Sequence, residues 1–161
     1  MKSLLVMLAA LLLCGCMGRQ PLPAELPALD LPKQLHVQQW QQDQRLDWLL
    51  VIQREGESLR WSLLDLLGMP QARQMLDHQR WQADGLLPPN PAARELFAAV
   101  LFALTPEDTL GQLYPEARQQ GQQRWLGERW QVTYQSTDEF SLNMPQGLRY
   151  LVSPLPSEST P

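Results

Sequence analysis

Residues 92–104 contain no helix breaker, and their second half carries almost no polar side chain. Leu96, Phe97, Val100, Leu101 and Leu104 keep helical spacing, while Ala98, Ala99, Phe102 and Ala103 fill the rest of the circumference. A helix that is apolar nearly all round has to be covered nearly all round, so the remainder of the chain must wrap it. Asn90 is placed to cap this helix and Pro91 suits its first turn. Thr105-Pro106-Glu107-Asp108 caps a second, short helix through about Leu113, which Tyr114-Pro115 stops.

The covering material reads as strands. Leu35 and Val37 alternate with polar neighbours; Leu46, Trp48, Leu50 and Ile52 alternate against Asp47 and Gln53. Beyond a hairpin turn at Gly56, Leu59, Trp61 and Leu63 share one face against Arg60 and Ser62. Gly68-Met69-Pro70 ends this strand. Residues 71–79 return as a weaker fourth, with Met75 and Leu76 competing for the inner face. After a Gln-rich linker the alternation resumes: Trp130, Val132 and Tyr134, then Phe140, Leu142 and Met144, then Leu148, Tyr150 and Val152. Trp125 falls on a partner strand joined by a turn at Gly127. The expectation is an antiparallel sheet of about eight strands interrupted by helices, an α+β domain.

Ahead of this domain, Lys2 and the apolar residues 4–13 form a short export signal rather than a span, because ten apolar residues cannot cross roughly 30 Å of hydrocarbon. Leu13-Cys14-Gly15-Cys16 closes it as a lipoprotein signal closes. Leu13 stands three positions before Cys16 and the small residue Gly15 stands just before it. The expected organisation is a signal peptide over 1–15, a lipidated Cys16 with a Pro-rich tether over 16–32, the domain over 33–155 and a frayed tail over 156–161. Prolines 21, 23, 27 and 32 favour an extended tether that could reach roughly 50 Å. With Cys14 removed and Cys16 lipidated, no intramolecular disulfide is expected. Met17 and Gly18 follow the lipidated cysteine without an Asp, which points to the periplasmic face of the outer membrane.

The chemistry excluded is broad. A net charge of −4 with no Lys/Arg cluster argues against nucleic acid as a partner, so the membrane is engaged through acyl chains rather than through a basic patch. His36 and His78 are isolated, no ligand spacing suits a metal, and no Ser nucleophile has a base beside it. The adjacent acids Glu107-Asp108 and Asp138-Glu139 read as structural. Asp65, in step with an apolar face, is explained by closeness to a strand end. No cofactor, no metal, no catalytic residue and no enzymatic activity are expected, and the domain is expected to be monomeric. Trp48, Trp61 and Trp130 fall on apolar faces, where large rigid rings either pack a core or line a cavity for an apolar guest.

The order of elements, together with Trp130-Gln131-Val132-Thr133-Tyr134, the Leu66-Leu67-Gly68 turn and the closing strand from Met144-Pro145 to Val152, resembles the LolA/LolB-like group of lipoprotein-sorting proteins. It resembles more closely the small bacterial lipoprotein family DUF3261, whose genes accompany aryl-polyene biosynthesis. The resemblance implies a curved, incomplete antiparallel β-barrel covered by helices, with the helix over 92–104 as lid. It also implies a hydrophobic cavity lined by Leu46, Trp48, Leu50, Ile52, Trp61, Leu63, Leu96, Val100, Trp130, Val132 and Tyr134, and a membrane-facing loop at Leu66, Leu67 and Met69. The expected ligand is lipid-like, an acyl or aryl-polyene-type product moved to the outer membrane with the help of envelope transport or biosynthesis proteins. A scaffold lipoprotein with a filled core is the alternative.

Overall fold

The computed structural model describes residues 19–155; the signal, Cys16 and the tail over 156–161 lie outside the described residues. Ten strands form one antiparallel sheet: β1 Lys33–Gln41, β2 Gln44–Glu55, β3 Ser58–Leu64, β4 Pro70–Asp77, β5 Arg80–Ala83, β6 Ala117–Gln120, β7 Gln123–Leu126, β8 Trp130–Tyr134, β9 Phe140–Asn143 and β10 Arg149–Pro154. The spatial order is β5-β4-β3-β2-β1-β10-β9-β8-β7-β6, so two meanders join where the first strand pairs with the last, and the edge strands β5 and β6 do not pair with each other. The link between those edges contains the helices α1 Pro91–Leu104 and α2 Glu107–Leu113. The domain is therefore α+β with an unclosed sheet.

Cross-strand register places every expected apolar set on one face. Leu35 opposes Leu50, Leu50 opposes Leu63, Ile52 opposes Trp61, Val37 opposes Val152, Val152 opposes Phe140, and Leu142 opposes Val132. Pairing of Leu59 with Leu76 decides the fourth strand: Ala72, Gln74 and Leu76 face in and Met75 faces out. Pro70 opens β4 rather than closing β3, which ends at Leu64. Asp65 turns the chain there, its Oδ1 accepting the Leu67 and Met69 amides at 2.9 Å each. The two-residue turn Gly56-Glu57 joins β2 to β3 with Gly56 at φ +61°, where glycine carries no Cβ penalty.

The expectation on strand count needs correction. The sheet has ten strands, not about eight, because Arg80–Ala83 and the Gln-rich Ala117–Gln120 both pair as edges. Edge strands need little apolar surface, so neither announces itself by alternation. The caps also differ in part. Asn90 Oδ1 accepts the Ala93 amide at 3.0 Å as expected, whereas α2 has Pro106 at its N-cap with no side-chain hydrogen bond and the Thr105 hydroxyl donates back to the Leu101 carbonyl at 2.8 Å.

The tether reading also changes over its described part. Pro23 and Pro27 are buried, and Leu22, Leu26, Leu29 and Leu31 pack against the core. The Ala24 amide donates to Leu113 at the end of α2 (3.3 Å), while Gln79 of the β4–β5 turn donates to the carbonyls of Pro23 (3.1 Å) and Ala24 (3.4 Å). This segment bonds to both sides of the gap between the edge strands. It is a strap across the seam, not a free spacer.

Candidate functional site

Helix α1 is the centre of the domain. Ala93 and every residue from Leu96 to Leu104 are buried, and Phe97 stacks on Trp61 (5.4 Å between ring centroids) and tilts against Trp81 (5.9 Å). Farther along, Phe102 lies 5.7 Å from Trp130 and 5.0 Å from Tyr114. One helix thus touches β3 and β5 of the first meander and β8 of the second. The all-round apolar sequence is matched by all-round cover.

Polar side chains hold α1 at its two ends. At its C-terminus the last carbonyls have no intrahelical donor, and the final turn carries no basic residue of its own. Arg124 of β7 supplies both. Its Nη1 donates to the carbonyls of Phe102 (2.8 Å), Ala103 (3.3 Å) and Thr105 (2.8 Å), its Nε donates to Gln119 Oε1 (2.8 Å), and it is 3 % exposed. Burial pulls its pKa down from the usual guanidinium value, the opposing attraction of Tyr134, Glu107 and Tyr114 being smaller. Tyr134 adds its hydroxyl to the Ala103 carbonyl at 2.7 Å, and burial raises its pKa to about 12.

Near the N-terminus, Glu95 accepts from Arg129 at 2.6 and 2.7 Å and from the Trp130 indole at 2.8 Å. Gln74, buried on the inner face of β4, accepts from Arg94 and donates to the Asn90 carbonyl at 3.3 Å. Both buried polar residues of the sheet's inner face therefore point at the helix they clamp. Alternation could have flagged Arg124: Leu126 opposes Trp130 on the inner face, which puts Arg124 inside and Trp125 outside.

The expected cavity residues separate into three groups. Leu50, Ile52, Trp61, Val100 and Val132 have 0 % exposure, and Leu63, Leu96 and Trp130 are nearly as buried. A side chain with no accessible area touches no water-sized void, from outside or within, so the interior at these positions is packed by α1 and holds no preformed hollow. Trp48 and Tyr134 are half-buried and pack against the same core. Leu46, 49 % exposed at the start of β2, lies outside the interior, and its place in the lining is corrected accordingly. Leu66, Leu67 and Met69 project from the β3–β4 turn, Leu67 with 89 % of its surface open. Cys16 lies outside the described residues.

His36 meets Asp47 at 2.9 Å and His78 meets Asp77 at 2.6 Å; among the described residues no group of three potential metal ligands converges. The Asp47 carboxyl is held below the usual range chiefly by the Arg45 hydrogen bond, with His36 and Gln38 adding to it. Asp138 pairs with Lys33 at 2.8 Å, a structural use of that acidic pair. No family model matches this chain, and no curated protein matches it.

Proposed function

We propose that this chain is a lipid-anchored, non-enzymatic protein of the LolA/LolB-like kind. In this reading it resides on the periplasmic face of the outer membrane and takes up a lipid-like ligand in the place that α1 occupies. The observation that carries the proposal is the mode of attachment of α1: an apolar body whose polar contacts with the sheet sit near its two ends, at Arg124 and Tyr134 and at Gln74 and Glu95. Release of those contacts leaves an apolar trough lined by Leu50, Ile52, Trp61, Leu63, Trp130 and Val132. An acyl chain entering it gains roughly 25 cal/mol per Å² of apolar area removed from water.

Curvature of the sheet supports the same reading. Phe97 touches Trp81 on β5, while Glu95, two residues away, reaches Trp130 on β8. Those strands are seven steps apart in the sheet order, roughly 34 Å in a flat sheet, so an incomplete barrel curled around α1 accounts for both contacts. Anchoring follows from Cys16 acylation, and the partners are envelope transport or biosynthesis proteins.

The test is native mass spectrometry of the purified lipoprotein together with titration by a fluorescent fatty acid. Co-purifying or saturable apolar ligand is expected; absence of both overturns the proposal. The second reading, a scaffold lipoprotein that holds no ligand, is favoured by the filled interior at Leu50, Ile52, Trp61 and Val132 and is the outcome such a double negative selects.

A further inference from the structure

The outer face of the sheet carries a pattern that the interior does not use. Following the register from strand to strand gives one continuous row: Arg118 opposes Trp125, Trp125 opposes Gln131, Gln131 opposes Asn143, Asn143 opposes Arg149, Arg149 opposes Trp40 and Trp40 opposes Arg45. One residue from each of β6, β7, β8, β9, β10, β1 and β2 takes part, and the row spans roughly 29 Å at the usual strand spacing. It contains aromatic, amide and guanidinium groups only. The adjacent outer row, two residues along each strand, reads Gln120, Gln123, Thr133, Ser141, Leu151, Gln38 and Asp47, so the pattern is not a general property of this face.

The middle of the row lies in two open clefts on either side of the turn from Met144 to Leu148. The larger, about 910 Å³, is lined by Trp125, Gln131, Asn143, Met144 and Leu148 together with the β7–β8 turn, and it reaches Trp130 and Glu95 at the rim of the sheet. The smaller, about 400 Å³, runs from Asn143 to Arg149 and Trp40. The side-chain amides of Gln131 and Asn143 bond to no other described residue, and Arg118 and Arg149 have no ion-pair partner among the described residues. At the far end Arg45 is engaged, paired to Asp47 and lying over the Trp40 ring at 5.5 Å. Among the described residues, Glu128 is the one acid lining these clefts without an ion-pair partner, since Glu95 is neutralised by Arg129.

We propose that this row binds a linear anionic glycan, with Trp125, Gln131 and Asn143 as the central subsite and Arg118 and Arg149 flanking it. A pyranose presents a flat C–H face to an indole ring and a rim of hydroxyls that both donate and accept. A carboxamide does both as well, so two free amides side by side complement that rim. Guanidinium groups match carboxylate or phosphate substituents in a planar, two-point fashion. Nucleic acid fits less well, because two unpaired cations on a chain of net charge −4 release few counterions. The row itself lies on the strands of the outer face, and because Glu95 of α1 lines the larger cleft, the proposal is made for the domain with α1 in place.

The experiment titrates the full chain, in a zwitterionic detergent, with three probes followed by calorimetry and tryptophan emission. The probes are soluble carboxylate-bearing peptidoglycan strands, phosphate-bearing lipid-free lipopolysaccharide core, and neutral chitotetraose. Saturable binding of at least one anionic glycan is expected, and which of the two binds identifies the source. Trp125→Ala lowers that affinity at least tenfold, and Arg118→Ala with Arg149→Ala removes its salt dependence, while Thr133→Ala in the neighbouring row changes nothing. If Trp125→Ala fails to fold, Gln131→Ala with Asn143→Ala serves in its place, because both amides are solvent-accessible. Lack of binding by all three probes at ~1 mM, a weak-affinity ceiling, overturns the proposal. So does equal affinity for the neutral chain, or wild-type affinity in the Trp125 or amide variants.

Discussion

Arg124 holds Phe102 twice: its Nη1 donates to the Phe102 carbonyl at 2.8 Å while its guanidinium lies 5.6 Å from the centre of the Phe102 ring. One side chain thus neutralises the carbonyl end of α1 and covers an aromatic face of the same helix. The sheet provides the cation that the helix sequence omits.

Replacing Arg124 should therefore loosen α1 specifically. Arg124→Leu leaves the carbonyls of Phe102, Ala103 and Thr105 without this donor and strands Gln119, a loss of about 2–4 kcal/mol, hydrogen bonds to charged groups being worth more than neutral ones. Arg124→Lys recovers part of this, because a single ammonium cannot also reach Gln119 with a second planar edge. Urea unfolding with an unchanged slope measures the difference. Under the proposed function the Leu variant also takes up a fluorescent fatty acid faster than wild type. Equal unfolding midpoints for wild type and Arg124→Leu would show that the clamp contributes nothing.

The central helix and the long strands were legible in the sequence because each depends on a periodicity that the chain repeats: 3.6 residues through Leu96, Val100 and Leu104, and two residues through Trp48, Leu50 and Ile52. Arg80–Ala83 and Ala117–Gln120 were not, since an edge strand is stabilised by backbone pairing on one side and needs no apolar run. The strap over residues 19–32 misled by composition. Proline favours an extended chain equally in solvent and in a groove, and the burial of Pro23 and Pro27, with the packing and hydrogen bonds around them, distinguishes the two. The clamp was hidden for a different reason: Arg124 sits inside a Gln/Arg-rich stretch that looks solvated until its register with Val132 places it inward.

Removing the strap should destabilise the domain although no element of the sheet or either helix is cut. A chain beginning at residue 33 exposes the surfaces that Leu22, Leu26, Leu29 and Leu31 cover, at a cost of roughly 3 kcal/mol for four partly buried leucines. Gln79→Ala removes only the donor to Pro23 and Ala24 and costs ~1 kcal/mol. Hydrogen exchange localises the effect: β5 and β6, the two unpaired edges, lose protection first. Unaltered protection at both edges in the shortened chain would mean that the segment merely rests on the surface.

Leu66 and Leu67 are 73 % and 89 % exposed on a turn already fixed by Asp65, so they contribute little to folding. Replacing both by Ser should leave stability within about 0.5 kcal/mol, as for surface changes generally. If the turn meets lipid, the same change lowers partition of the protein onto phospholipid vesicles at least about tenfold, since a fully buried leucine is worth roughly 1.5–3 kcal/mol. Co-sedimentation with vesicles reads this directly. Undiminished sedimentation of the double variant excludes the turn as a membrane contact.

All three tyrosines of the chain are held protonated by burial: Tyr134 and Tyr150 are pushed up to about 12, and Tyr114, facing Phe102, is raised as well. In the unfolded chain each ionises near the ordinary value of 10.0. Between these values the unfolded state has released protons that the folded state still binds, so folding stability falls as pH rises. Below pH 10 the contribution is fully present; it diminishes steadily toward pH 12. The expected result is therefore a melting temperature that declines over this window, with tyrosinate absorbance in the native protein displaced from pH 10 toward pH 12. Tyr134→Phe shortens the decline, because it deletes one of the titrating groups, and it also removes the hydroxyl donated to Ala103. Smooth ionisation of the tyrosines near pH 10 in protein whose far-UV signal is still native would contradict this account, since it would require the three hydroxyls to reach water without α1 moving.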